Sequence, residues 1–230
     1  MGRNLAFAAI TAAIERGIQA PLSEAALRRS GLLHRLRLPP AWHTLATILL
    51  LDYTLWWWHW ANHEVPSLWR FHVVHHVDRD LDASTALRFH FGEMTLAALF
   101  RAAQIALIGA DRRGVTLWQR MLLLSIIFQH SNLRLPLDLE RLLVRVVVTP
   151  RMHGIHHADV RDLESSNWSS FLSWWDVLQG TFRFDVPQEA ITIGVPAWPD
   201  PRELTLGKIL LMPFREQKED WATLPPRTRY

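Results

Sequence analysis

Cysteine is absent from the 230 residues, which removes disulfides, thiolate metal sites and a cysteine nucleophile together. Any bound metal must then be held by nitrogen and oxygen ligands. Lysine is nearly absent as well. Lys208 and Lys218 are the only two, so almost all of the positive charge is arginine. The arginines are scattered along the chain and the formal net charge is only +3. That pattern lacks the concentrated basic patch of a nucleic-acid binder, and no nucleic-acid partner is expected. The uninterrupted apolar spans of a polytopic membrane protein are also scarce, and mean hydropathy is +0.01. Leu5 to Ile14 is a short apolar run that Glu15 and Arg16 interrupt. It lacks a convincing cleavage site, so no cleavable signal peptide is read there.

Apolar and aromatic residues are nonetheless plentiful, and a chain of this length can bury a substantial core in one domain. Ala41 to Trp58 (AWHTLATILLLDYTLWWW) approaches the ~17–25 residues that cross a bilayer. Met94 to Ala110 carries Arg101 and Val115 to Phe128 carries Arg120, so both are marginal as spans. The WWW run with tryptophans after it suits an interfacial belt, and membrane association is expected. Pro39-Pro40 closes an Arg-rich stretch, and Pro66 ends the first long helix, Ala41 to Glu64. A second helix begins near Ser67, and DRDLDAST is a loop. Two antiparallel segments, Glu93 to Ala110 and Val115 to Phe128, turn at DRRG (111–114). Leu139 to Val148 is an amphipathic helix ending before Thr149-Pro150, and MHGIHH opens a short one. The expected fold is all-α, a membrane-associated helical bundle forming one domain over 1–230. Its core covers about 41–182, and the proline-punctuated 183–230 forms an irregular cap. A hairpin over 94–128 would return the chain to the side it left, bringing all the histidine clusters to one membrane face.

Those clusters are the main functional signal. His59 and His63 are one helical turn apart. His72, His75 and His76 stand at i, i+3 and i+4, and His153, His156 and His157 repeat that spacing, so each short helix is read as offering three imidazoles in one direction. Burying eight imidazoles beside apolar helices is costly unless something organises them. A metal would do so, since neutral imidazole ligates iron, zinc and copper. Eight nitrogens exceed what one ion needs, so two ions are the natural count. Trp60 stands where a zinc-protease motif would need its glutamate. Asp52 lies seven residues before His59 on the same helical stripe and interrupts an apolar run. It is therefore expected to orient those imidazoles from behind, and Asp176 is a weaker candidate for the same task.

The segments LLLDYTLWWWHWANHEVPSLWRFHVVHH, TALRFHFGE, FQHSNLRLP, VTPRMHGIHH and WWDVLQGTF resemble the membrane-bound fatty acid hydroxylase and sterol desaturase superfamily, and its bacterial members in particular. The likeness covers about residues 41–182. It implies metal ligands at His59, His63, His72, His75, His76, His153, His156 and His157, with His130 as a ninth. It places His90 behind the ligands and Asn132 at a water-mediated contact, and it leaves no catalytic residue separate from the ligands. His34 and His43 lie outside every box. The resemblance further implies two non-haem irons, with zinc possible in purified protein, and use of O₂ to hydroxylate or desaturate a C–H bond of a lipid. No haem or flavin domain is visible, so a separate electron donor such as a ferredoxin or a reductase is expected. The implied setting is a bacterial inner membrane with the site facing the cytoplasm. The competing reading is a non-catalytic membrane protein clamped by a histidine-bound zinc pair.

Overall fold

A computed structural model describes residues 2–218 and 221. The end of the expected cap, 222–230, and residues 219–220 lie outside the described residues. Among the described residues the only β pairings are two isolated bridges, so the fold is all-α. The chain begins with α1 (Gly2–Ile14), a π-helical stretch (Glu15–Gln19), α2 (Ala20–Ala26) and the short α3 (Leu32–Arg35). The long α4 (Pro40–Glu64) and α5 (Pro66–His76) follow, then α6 (Phe91–Ile108) and α7 (Arg112–Gln129). Five short helices finish the described chain: α8 (Leu137–Leu143), α9 (Pro150–His156), α10 (Arg161–Glu164), α11 (Trp174–Gln179) and α12 (Leu206–Leu211).

Prolines set the boundaries of the two helices that carry half of the histidines. Pro40 opens α4 with its φ already helical. Val65, forced out of the helical region by Pro66, ends α4 at φ −97°, ψ 110°, and Pro66 then begins α5. The α6–α7 connection is one residue tighter than the sequence implies. Gly109 ends α6 in the left-handed region at φ 70°. Asp111 caps α7 by accepting from Gly114 N at 3.1 Å, so Arg112 to Gly114 form its first turn and the reversal occupies Gly109–Asp111. α8 also stops earlier than expected. The β-branched run 146–148 leaves the helix and pairs with the 171–173 segment: Val148 N donates to Phe171 O at 3.0 Å, and Ser173 N donates to Val146 O at 3.2 Å.

α4 packs along α6 and α7, and Leu33, Leu51, Ile105, Val115 and Trp118 fill the space between them. A second cluster gathers Phe7 of α1, Trp69 and Val73 of α5, and Val195, Trp198, Ile209 and Met212 of the C-terminal segment. That cluster closes over the back of α5. Among the described residues one helix, α6, is both long and apolar enough to cross a membrane. α4 has the length, but Asp52, His59 and His63 dilute its apolar character.

Candidate metal centre

Helical geometry divides each H-x-x-H-H box in two. His72 and His76 lie at i, i+4 on one stripe of α5, and His75 is rotated away from them. On α9 and its cap, His153 and His157 share a stripe and His156 is rotated away. The two boxes therefore interlock. His59, His63, His72, His76 and His156 form one group, and His75, His130, His153 and His157 form another. Within each group the candidate ligand atoms lie within 4.8 Å of one another. The single-direction reading of each box is thus corrected. The groups touch where the His76 and His157 rings stack with centroids 4.2 Å apart.

In the first group four of the five outer ring nitrogens are tied down. His59 Nδ1 donates to Trp168 O at 2.7 Å, and His156 Nδ1 donates to Ser166 O at 2.8 Å. A carbonyl can only accept, so both rings carry the proton on Nδ1 and turn the Nε2 lone pair inward. His72 Nδ1 meets Glu93 Oε1 at 2.8 Å, and His63 Nδ1 meets Glu164 Oε1 in a short contact. The inward Nε2 atoms of His63, His72, His76 and His156 are buried and have no protein partner. In the second group His130 Nδ1 is fixed on Ile126 O at 2.6 Å. Its Nε2 lies 3.1 Å from His75 Nε2 and 2.9 Å from His153 Nε2, and His153 Nε2 lies 3.0 Å from His157 Nε2. Four nitrogens facing one another at these separations cannot all be satisfied by protons. A shared cation suits them, and the donor set fits an imidazole-ligated metal in both groups.

Burial keeps His76, His130, His153, His156 and His157 in the neutral form that a ligand needs. It holds His76, His153 and His157 well below the ordinary imidazole value, His130 near about 4 and His156 near about 3. Burial also lifts the Glu164 carboxyl to about 8, against the pull of Arg161. Phe89 lies flat against His75, with ring centroids 4.7 Å apart and planes at 12°.

Sequence reasoning missed both carboxylates that touch imidazoles. Glu93 stands within the RFHFGE segment, and Glu164 lies seven residues past His157 in RDLESS. The residues proposed for that role sit elsewhere. Asp52 accepts from Trp118 Nε1 at 3.2 Å, Leu172 N at 3.1 Å and Trp175 Nε1 at 2.6 Å. Its bonds thus go to α7 and the 172–175 segment rather than to the first box. His90 caps α6, accepting from Gly92 N at 3.0 Å and donating to Leu210 O at 3.1 Å. Asn132 is exposed in the turn after His130. Asp176 is buried one step further out, accepting from Trp56 Nε1 at 2.9 Å, Trp168 N at 2.9 Å, Ser169 N at 3.0 Å and Thr181 Oγ1 at 2.7 Å. It fixes the loop whose carbonyls hold His59 and His156.

Asn167 shapes that loop from within. Its backbone is left-handed at φ 55°, a conformation asparagine tolerates better than other side chains. Its amide donates to Met152 O at 2.9 Å and Arg183 O at 2.8 Å, and its carbonyl accepts from Arg183 N at 2.7 Å. Asn167→Ala loses those three bonds and strains the turn, a destabilisation of about 2–4 kcal/mol. Thermal unfolding should show it as a midpoint lowered by roughly 5–15 °C. An unchanged midpoint would mean that the loop is held by something else.

The profile of the fatty acid hydroxylase family matches residues 44–181, which includes both groups of histidines. The chain is 30% identical over 161 residues to ornithine lipid hydroxylase OlsE of Rhizobium tropici, covering 68% of this chain and 46% of that protein. It is 28% identical to human alkylglycerol monooxygenase, covering 67% and 33% of the two chains. It is 26% identical to mouse cholesterol 25-hydroxylase, covering 61% and 47%. The matched region spans less than half the length of each of these relatives. No solved structure matches the chain. The matched profile, extending over more than half of the sequence, shows that the chain belongs to the fatty acid hydroxylase family.

Proposed function

We propose that this chain is a membrane-bound oxidoreductase that holds two irons, one per histidine group, and uses O₂ to hydroxylate a C–H bond of a lipid. The observation carrying this reading is the pair of interlocked groups of buried imidazoles, whose inward nitrogens lack partners in the first group and face only one another in the second. The family relation favours iron. The three relatives bear the names of hydroxylases or a monooxygenase, which favours hydroxylation over desaturation. Ornithine lipids, alkylglycerols and sterols, the substrates in those names, define the first set of lipids to try.

When bound, iron supplies the activation of O₂ and the abstraction of hydrogen. One oxygen atom becomes the hydroxyl and the other leaves as water, consuming two electrons and two protons from a separate donor. The chain's own residues hold the proton on Nδ1 of each anchored histidine. Glu93, Glu164 and the carbonyls of Trp168 and Ser166 thereby fix which nitrogen faces the metal. Burial of every box histidine excludes bulk water from both groups. A bilayer setting is supported by apolar side chains left outside the α6–α7 pair, among them Leu107 at 75% exposure and Leu124 at 70%. We place the chain in a bacterial inner membrane as one domain, its histidine-bearing end toward the cytoplasm, where a ferredoxin or reductase would reach it.

The deciding experiment supplies iron-loaded protein, a reductase and each lipid class, then follows O₂ uptake and product mass. Gain of one oxygen atom by the lipid supports the proposal, and loss of two hydrogens would make the chain a desaturase. Retention of zinc with no lipid-dependent O₂ uptake would favour a structural clamp and sink the proposal.

A further inference from the structure

The end of the bundle remote from the two candidate metal-binding histidine groups has a charge of its own. Residues 24–37 and 111–113 carry six arginines against two acids, a net of +4, whereas the whole chain is +3; the rest of the molecule is therefore at −1. Contacts bring these segments to one place. Arg112 grips Glu24 through two bonds of 2.5 and 2.6 Å. His43 Nε2 donates to Gly109 O at 2.9 Å, and Thr44 Oγ1 donates to Asp111 at 2.6 Å. Gly31 lies so close to the end of α6 that a Cβ there would come within 2.3 Å of Gly109 N. Along α4, Thr44 is fifteen residues from His59, about 22 Å at the helical rise.

Both acids at this end are already engaged, Glu24 by Arg112 and Asp111 by Thr44 and the α7 cap. Arg29, Arg35 and Arg37 are exposed with no ion pair to an acid, and Arg28 is exposed beside the Glu24 that Arg112 already grips. Arg28 and Arg29 line an open depression of about 440 Å³ with Pro21, Glu24 and Ala25. Beside them Leu32 and Leu36 are more than half exposed, and Trp42 is 62% exposed. Guanidinium groups set among outward leucines and a tryptophan match a lipid headgroup boundary, where the apolar groups enter the acyl region and the cations meet phosphates.

We infer that this end, centred on Arg28, Arg29, Arg35 and Arg37 with Trp42, is a binding surface for anionic phospholipid headgroups. Charge complementarity selects the anionic lipid: a surface of net +4 gains little from a zwitterionic headgroup. Turnover and metal content play no part in the inference, which can fail or hold independently of the proposed reaction.

The test uses the full chain with its metal in an uncharged detergent, with phosphatidylglycerol or phosphatidylcholine added. Thermal midpoint and the number of lipids retained in native mass spectrometry are the readouts. Phosphatidylglycerol is expected to raise the midpoint and remain bound where phosphatidylcholine does neither. At about 0.5 M salt, where the Debye length falls to about 4 Å, the difference should largely vanish. The quadruple variant Arg28→Gln/Arg29→Gln/Arg35→Gln/Arg37→Gln should lose phosphatidylglycerol affinity by about 100-fold or more and keep its metal. Arg134→Gln/Arg145→Gln, nearer the histidine end, should bind like the native chain. Equal responses to the two lipids, or a quadruple variant that still binds phosphatidylglycerol normally, would overturn the inference. Should the quadruple variant fail to fold, the salt and headgroup comparisons on the native chain decide. Stabilisation that depends on salt but ignores the headgroup would point to another polyanion and also overturn it.

Discussion

His75→Ala should cost the protein about half of its metal, and His156→Ala should cost it less. The difference follows from how the boxes interlock. His75 is one of four donors in its group, and His156 is one of five in the other. Removing His75 leaves three imidazoles, two of them, His153 and His157, one turn apart on a single short helix. A group reduced from five to four still has enough nitrogens to hold an ion, though more weakly. Protein extracted in mild detergent should hold about two ions per chain, since each group can satisfy one tetrahedral or larger coordination shell. Elemental analysis of the native chain and both variants, each checked for helical content, measures this. His130→Ala should resemble His75→Ala, because His130 belongs to the same group of four and approaches His75 and His153 closely. Full metal retention in His75→Ala and His156→Ala alike would refute the ligand assignment.

The sequence made some of this arrangement legible and hid the rest for identifiable reasons. Proline marks such as Pro40 and Pro66 are local, so the limits of α4 and α5 could be read directly. The identity of the box histidines rests on spacing within single turns, which is also local. The reversal at Gly109–Asp111 was misplaced because DRRG looks like a turn, yet Asp111 satisfies the α7 N-terminus and commits the residues after it to helix. The division of each box followed from the same 3.6-residue period but required knowing that the boxes interlock into two groups. The partners of the imidazoles were least accessible. His63 is held by Glu164, 101 residues away, and His59 by Trp168, 109 residues away. No periodicity within α4 announces such contacts. The stripe joining Asp52 to His59 is real, but Trp118, Trp175 and Leu172 N occupy its carboxylate.

That reassignment separates two carboxylates that the sequence could not tell apart. Asp52→Asn should weaken the fold and leave the metal in place, whereas Glu164→Gln should leave the fold and weaken the metal. At Asp52 both oxygens accept, Oδ1 from Trp118 and Oδ2 from Trp175 and Leu172 N. An asparagine side chain must point its NH₂ at one of these donors, leaving at least one buried N–H unpaired at about 1–3 kcal/mol. Arg101, whose guanidinium lies 3.9 Å from the Trp118 ring centroid, would also lose the nearby charge that balances it. The Asp52→Asn midpoint should therefore fall, with metal content per folded chain unchanged. Glu164 instead meets His63 Nδ1 directly, and its own group is fully buried. Glutamine keeps the volume but cannot take up the carboxylate charge that a bound cation would favour, so the His63 ring loses basicity toward a metal on its other nitrogen. Losses of this kind typically run to 10–100-fold in metal affinity. A chelator competition on the two variants, with unfolding followed in parallel, measures both properties on the same samples. If Asp52→Asn loses metal as readily as Glu164→Gln at equal folded fraction, Asp52 does act on the first box and its contacts with the tryptophans are incidental.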